Sequence, residues 1–133
     1  MRRALLAAAL LLVVACNNGP TEPNRTETLT GTLARSASTT SSLVMHDTGN
    51  VQVRAVDLKA VAADGTTSAA EVTLSIGTGD ATNCTVTGNF GMIETSLVSL
   101  GLTKGNYCVK LTEPTVIAEG SSVRYTIRLE ITD

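Results

Sequence analysis

The chain has 133 residues, with 10 Lys and Arg against 12 Asp and Glu for a formal net charge of −2. That length suits one domain, and the absence of a basic surplus or a basic run argues against a nucleic-acid partner. With no Trp, one Phe and two Tyr, any core must be built from aliphatic side chains.

The first element is a targeting segment. Met1-Arg2-Arg3 precedes an unbroken apolar run from Ala4 to Ala15, the shape of a secretory n-region and h-region. The run falls short of the roughly 20 residues that a membrane-spanning helix needs. Its end, Val13-Val14-Ala15-Cys16, resembles a bacterial lipobox. The resemblance implies cleavage after residue 15 and acylation of the Cys16 thiol, which makes the lipid bilayer a partner. Two or more acyl chains anchor a protein stably where one holds it only marginally. Asn17 stands where an aspartate tends to retain lipoproteins at the inner membrane, so the expected address is the cell envelope, with the outer membrane favoured in a Gram-negative cell. An ordinary secretory signal is the alternative. Residues 16–26, reading "CNNGPTEPNRT", have too little apolar surface to order themselves and form an expected tether.

From residue 27 to 133 the chain reads as short strands between turns. The weaker ones are Glu27–Ala34, Leu43–Asp47, Cys84–Phe90 and Glu94–Leu100. In "GNVQVRAV" the alternation of Val51 and Val53 slips phase at Ala55-Val56, as a bulge or strand end would cause. A short helix over "VRAVDLKAVAADG" is the competing reading there. "EVTLSIG" and "NYCVKL" alternate, and "SSVRYTIRLEITD" sets Val123, Tyr125, Ile127, Leu129 and Ile131 against polar neighbours over nine residues. Glycine-centred turns such as Asp64-Gly65 and Lys104-Gly105-Asn106 separate the runs. The expected fold is all-β, an antiparallel, jelly-roll-like β-sandwich of about eight short strands.

Of three cysteines, Cys16 is assigned to lipid. An exported chain meets an oxidising compartment, so Cys84 and Cys108 are expected to pair; two free buried thiols are the alternative. Cys108 has the parity opposite to Tyr107 and Val109, which puts the bond on the outer face or at the rim, exposed enough to be reduced without full unfolding.

"GNYCVKLTEP" and the closing "GSSVRYTIRLEI" are similar to the last strands of bacterial pre-peptidase C-terminal-type domains. Leu29-Thr30-Gly31-Thr32-Leu33 and Gly49-Asn50-Val51-Gln52-Val53 resemble their opening strands. The resemblance implies a sandwich with an accessory role in spacing, adhesion or display. The acidic stretch that many members carry before a middle strand is replaced by "SAAEVTLSI", with Glu71 its only acid, so no calcium site is carried over.

Other chemistry is thin. His46 beside Asp47 could suggest a hydrolase, but no serine lies in a nucleophile-elbow context. Asp57, Asp64 and Asp80 sit where turns use aspartate for backbone reasons. Tyr107 and Tyr125 have core parity rather than that of a sugar-stacking platform. The expectation is a non-catalytic, lipid-anchored envelope module with no cofactor and no metal, and with an envelope protein or polysaccharide as partner. A small ligand- or calcium-binding protein is the alternative, and a hydrolase the weaker one.

Overall fold

The computed structural model describes residues 24–133; the expected signal peptide, Cys16 and most of the expected tether lie outside them. Nine strands follow one another: β1 (Arg25–Ala34), β2 (Ser38–Met45), β3 (Gly49–Val61), β4 (Thr67–Ala69), β5 (Glu71–Gly79), β6 (Cys84–Ile93), β7 (Leu97–Leu102), β8 (Gly105–Thr112) and β9 (Ser122–Thr132). One sheet runs β1-β9-β3-β4, with β7 also paired to β3, and the other runs β2-β8-β5-β6. All pairings are antiparallel. Only the β3–β4 and β5–β6 connections stay within one sheet; the others cross between sheets, as in a jelly roll. The fold is the expected antiparallel β-sandwich.

The alternation legible in the sequence is what packs. In β9, Val123, Tyr125, Ile127, Leu129 and Ile131 are buried while the residues between them face solvent at least in part. They meet Val72, Leu74 and Ile76 of β5 and Val109 and Leu111 of β8 in one continuous core. Fully burying such a side chain contributes about 1.5–3 kcal/mol.

The competing helix is not formed. Residues 49–61 make a single 13-residue strand whose register shifts between Ala55 and Asp57. The bulge flips the phase, so Val51, Val53 and Ala55 before it and Leu58 and Ala60 after it all point into the core. One extra residue converts a broken two-residue period into an apparent helical one. The strand beyond the expected eight is β4, three residues long and wholly exposed, too short and polar to leave a periodic signal. The expected strand Glu94–Leu100 begins instead at Leu97, because Thr95 takes a left-handed φ of 73° and Ser96 donates its N–H back to the Ile93 carbonyl at 3.0 Å.

Candidate functional site

The two ends of the sandwich differ. At one end the chain enters through Asn24, whose N–H bonds the Ile131 carbonyl at 3.0 Å. Asp133 lies beside it: its carboxylate accepts the His46 N–H at 2.6 Å and sits 3.7 Å from the Arg25 guanidinium. The β2–β3 and β7–β8 turns and the β5–β6 arch share this end. At the other end lie the β1–β2 and β3–β4 turns and the long β8–β9 loop, and β6 ends there before its turn crosses to the middle of β3. At about 3.3 Å per residue, the 11 residues of β9 separate the two ends by about 35 Å.

A cleft of about 530 Å³ opens at the far end, between β4, the start of β5, the end of β6 and the β8–β9 loop. Its floor is small and aliphatic, from Ala60, Ala69, Ala70 and Ile117. Ile93 and Val116 stand at its mouth, 59% and 66% exposed, and Glu71 and Ser121 add polar atoms. Volumes of about 300–1,000 Å³ are typical of small-ligand sites. Two more exposed apolar side chains, Val56 at the β3 bulge and Leu97 at the start of β7, lie opposite the middle of β9, away from this end.

Glu113 builds the cleft wall. It is 1% exposed, and its side-chain oxygens accept four backbone N–H groups: Ser36 at 2.6 Å and Thr115 at 2.8 Å on Oε2, Val116 at 2.9 Å and Ile117 at 3.3 Å on Oε1. Burial by itself would push this carboxyl up, but the N–H donors outweigh it and hold Glu113 below the usual glutamate value. Two of the donors, Ser36 and Thr115, take left-handed φ values of 61° and 67°, and their hydroxyls meet at 2.7 Å. Strain of about 1–3 kcal/mol at each is offset by charge-assisted bonds to one oxygen. Pro114 ends β8, since it cannot donate to the ladder, and frees the chain to wrap around the carboxylate. Glu113 thus positions Val116 and Ile117 without facing the cleft as a ligand. The sequence offered no sign of it beyond an acid placed before a proline.

Cys84 and Cys108 are bonded, with Cα atoms 5.7 Å apart. They belong to the strands on either side of β5, which would ordinarily leave them about 9–10 Å apart. Glycine closes the gap. Gly77 lies on the β5 face opposite Ile76, and a Cβ there would fall 2.2 Å from the Thr85 carbonyl oxygen; the start of β6 therefore crosses over β5 at this point. A register shift between Ile76 and Gly77 turns β6 onto that path. Gly79, at φ 118°, lets the arch begin, and the Ala81 N–H reaches the Ser42 hydroxyl at 3.0 Å. The outer-face placement of the bond is as expected, but its exposure is not: Cys108 is fully buried and Cys84 half-buried, because the arch covers them.

The remaining polar candidates are dispersed. Asp57 pairs with Arg124 at 2.8 Å, which lowers its pKa through that hydrogen bond. Asp64 is lowered by hydrogen bonds from Thr66. Asp80 closes its own turn, accepting from Asn83 and Thr82, which lower it. Among the described residues no three His, Cys, Asp or Glu gather as metal ligands. Asp47 accepts the N–H of Thr48 at 2.8 Å, and no hydrogen bond joins His46 to a serine among the described residues. Tyr125 is core, but Tyr107 is only half-buried, donating its hydroxyl to the Thr103 carbonyl at 2.9 Å. It borders a second, smaller groove with Asp80, Asn106 and Ser42 near the disulfide.

Fold and cleft together define an all-β sandwich domain, closed by one disulfide and open at one end. No protein-family model matches the chain, and no curated protein matches it. Solved structures do. The CBM36-1 domain of a multidomain xylanase from the hindgut metagenome of Trinervitermes trinervoides is similar, with 13% identity and a TM-score of 0.41 over 82% of this chain and 99% of that one. The carbohydrate-binding module CBM36 in complex with calcium and xylotriose is similar at 18% identity and a TM-score of 0.34, over 84% and 90%. What those modules bind is a property of theirs.

Proposed function

We propose that this chain is a lipid-anchored cell-envelope module with a non-catalytic binding role, displayed from the bilayer through acylated Cys16, with an envelope protein or polysaccharide as partner. The lipobox-like Val13-Val14-Ala15-Cys16 supports the anchor, and the strand motifs similar to pre-peptidase C-terminal-type domains support the accessory role. The observation that carries the reading is polarity. The chain leading from Cys16 enters at Asn24, and the cleft opens at the opposite end, about 35 Å away along the strands. A module tethered at one end presents the other outward. Eight tether residues extend at most about 28 Å, so the tether of the mature chain falls short of the cleft.

The anchor is tested by fractionation and intact mass. The wild-type chain is expected in the membrane fraction, beginning at residue 16 and heavier by its acyl chains. Cys16→Ser is expected either soluble or uncleaved. A Cys16→Ser protein that stays in the membrane with a cut signal peptide and no mass difference from wild type overturns the lipid anchor.

A further inference from the structure

We infer that the outer face of the sheet formed by β1, β9 and β3 holds a second site, apart from the far-end cleft, that takes a carboxylate carried on a short aliphatic group. The inference starts from the register. Across β3 and β9, Lys59 lies directly opposite Arg124, and Arg54 directly opposite Arg128. The residues before and after each of these four are buried in the core, so both pairs stand on the outward face. Residues directly opposite in an antiparallel pair have Cβ atoms about 4.5–5.5 Å apart, and like charges placed so oppose the pairing of their strands.

The fold answers this repulsion differently in the two pairs. At Lys59 and Arg124 each cation has its own acid: Glu94 pairs with Lys59, and Asp57 lies 2.8 Å from Arg124. At Arg54 and Arg128 one acid serves two cations. Glu130 lies 3.4 Å from the Arg128 Nε, whereas Arg54 makes no salt bridge and no side-chain hydrogen bond among the described residues. Its row across the sheet supplies no acid either, reading Thr28, Arg128, Arg54, Leu97 from β1 to β7. A bound carboxylate therefore takes the place at Arg54 that Glu94 and Asp57 take in the neighbouring pair. A guanidinium fork matches both oxygens of a planar carboxylate. One unpaired cation calls for one negative charge, since the second charge of a dianion would meet Glu130 and Asp57. The body of the ligand follows from Leu97, directly opposite Arg54, and Val56, two residues further along β3. Both are exposed apolar side chains on this sheet, and they give an aliphatic group a surface to cover beside the cation.

Methyl chemical shifts of Val56 in the full chain, held in non-ionic detergent at low salt and neutral pH, read this directly. The probes are isovalerate, isopentanol and isopentylammonium, which share a tail and differ in charge. Saturable shifts with the carboxylate are expected, weaker ones with the alcohol and none with the ammonium. Arg54→Gln is expected to weaken isovalerate about fivefold, the scale of one exposed ion pair, and to leave the alcohol unchanged. Because it removes one of two opposed like charges, it should also leave the melting midpoint unchanged or higher. Leu97→Glu, which sets an acid opposite Arg54 within the chain, is expected to abolish the isovalerate response. Equal responses to carboxylate and alcohol, an isovalerate response that Arg54→Gln or Leu97→Glu does not alter, or silence from every probe overturn the inference. A lowered melting midpoint for Arg54→Gln would show that Arg54 already has a partner in the chain and overturn it too. The lipid anchor is read separately by mass and fractionation, so its failure is not confused with these.

Discussion

Replacing Glu113 with glutamine puts the cleft wall and the fold under one test. The wild-type carboxylate offers two oxygens to four backbone N–H groups. Glutamine keeps one oxygen and turns an NH₂ toward the remaining donors, leaving two N–H groups unsatisfied. At about 1–3 kcal/mol for each buried group left unpaired, Glu113→Gln is expected to destabilise the domain by about 4 kcal/mol. Against the 5–15 kcal/mol usual for a domain, that is a large fraction, and at about 4 °C or more per kcal/mol the melting midpoint falls by about 15 °C. The pH dependence carries a sign. The folded carboxyl lies below the ordinary glutamate value, so its contribution is fully present above that ordinary value and is lost as pH falls through the lower, folded one. The gap between wild type and Glu113→Gln is therefore expected to be widest near neutral pH and to narrow in acid. Urea titrations followed by far-ultraviolet circular dichroism at pH 7 and at pH 3 measure it. A loss below about 1 kcal/mol at pH 7, or a gap that does not narrow in acid, would refute the claim that this carboxylate organises the β8–β9 loop.

Further outcomes follow from other parts of the fold. Cys84→Ser combined with Cys108→Ser removes a link across 24 residues and should cost about 2–4 kcal/mol while preserving the β spectrum in the cold; an unchanged urea midpoint would contradict it. Because the arch buries Cys108, the native bond should resist mild reductant until denaturant is added, and rapid thiol labelling without denaturant would show the arch to be open. Gly77→Val should block the crossing of β6 over β5, where a Cβ would meet the Thr85 carbonyl, and leave two free thiols; a fully oxidised variant would remove the steric argument. Ile127→Asp, placing a charge at a fully buried site in β9, should abolish cooperative unfolding, whereas Thr126→Ser on the wetter face should not.

The parts of this fold legible in the sequence are those where side-chain period and burial coincide. The β9 run from Val123 to Ile131 could be read residue by residue, and so could the phase slip at Ala55-Val56, because a bulge shifts the period without ending it. The disulfide was legible from cysteine count and compartment, but its burial was not: that depends on Gly77 and Gly79 letting β6 cross its neighbour, a contact made between backbones. The cleft was illegible for a related reason. Its floor is alanine from β3, β4 and their junction with β5, and alanine in a strand carries little periodic contrast. Glu113 was the least visible of all, since an acid in a loop is ordinarily solvated, and nothing local says that four N–H groups from two loops will converge on it.

The proposed arrangement is a module held to the bilayer at one end and open at the other. It is tested by labelling the lipidated protein in vesicles that contain quencher lipids, with a fluorophore either on Lys104→Cys in the β7–β8 turn or on Ala118→Cys at the cleft. Separated by about 35 Å along the strands, the two sites should respond differently, with strong quenching at position 104 and little at position 118. Equal quenching at both, stronger quenching at 118, or a protein that does not stay with the vesicles would contradict it.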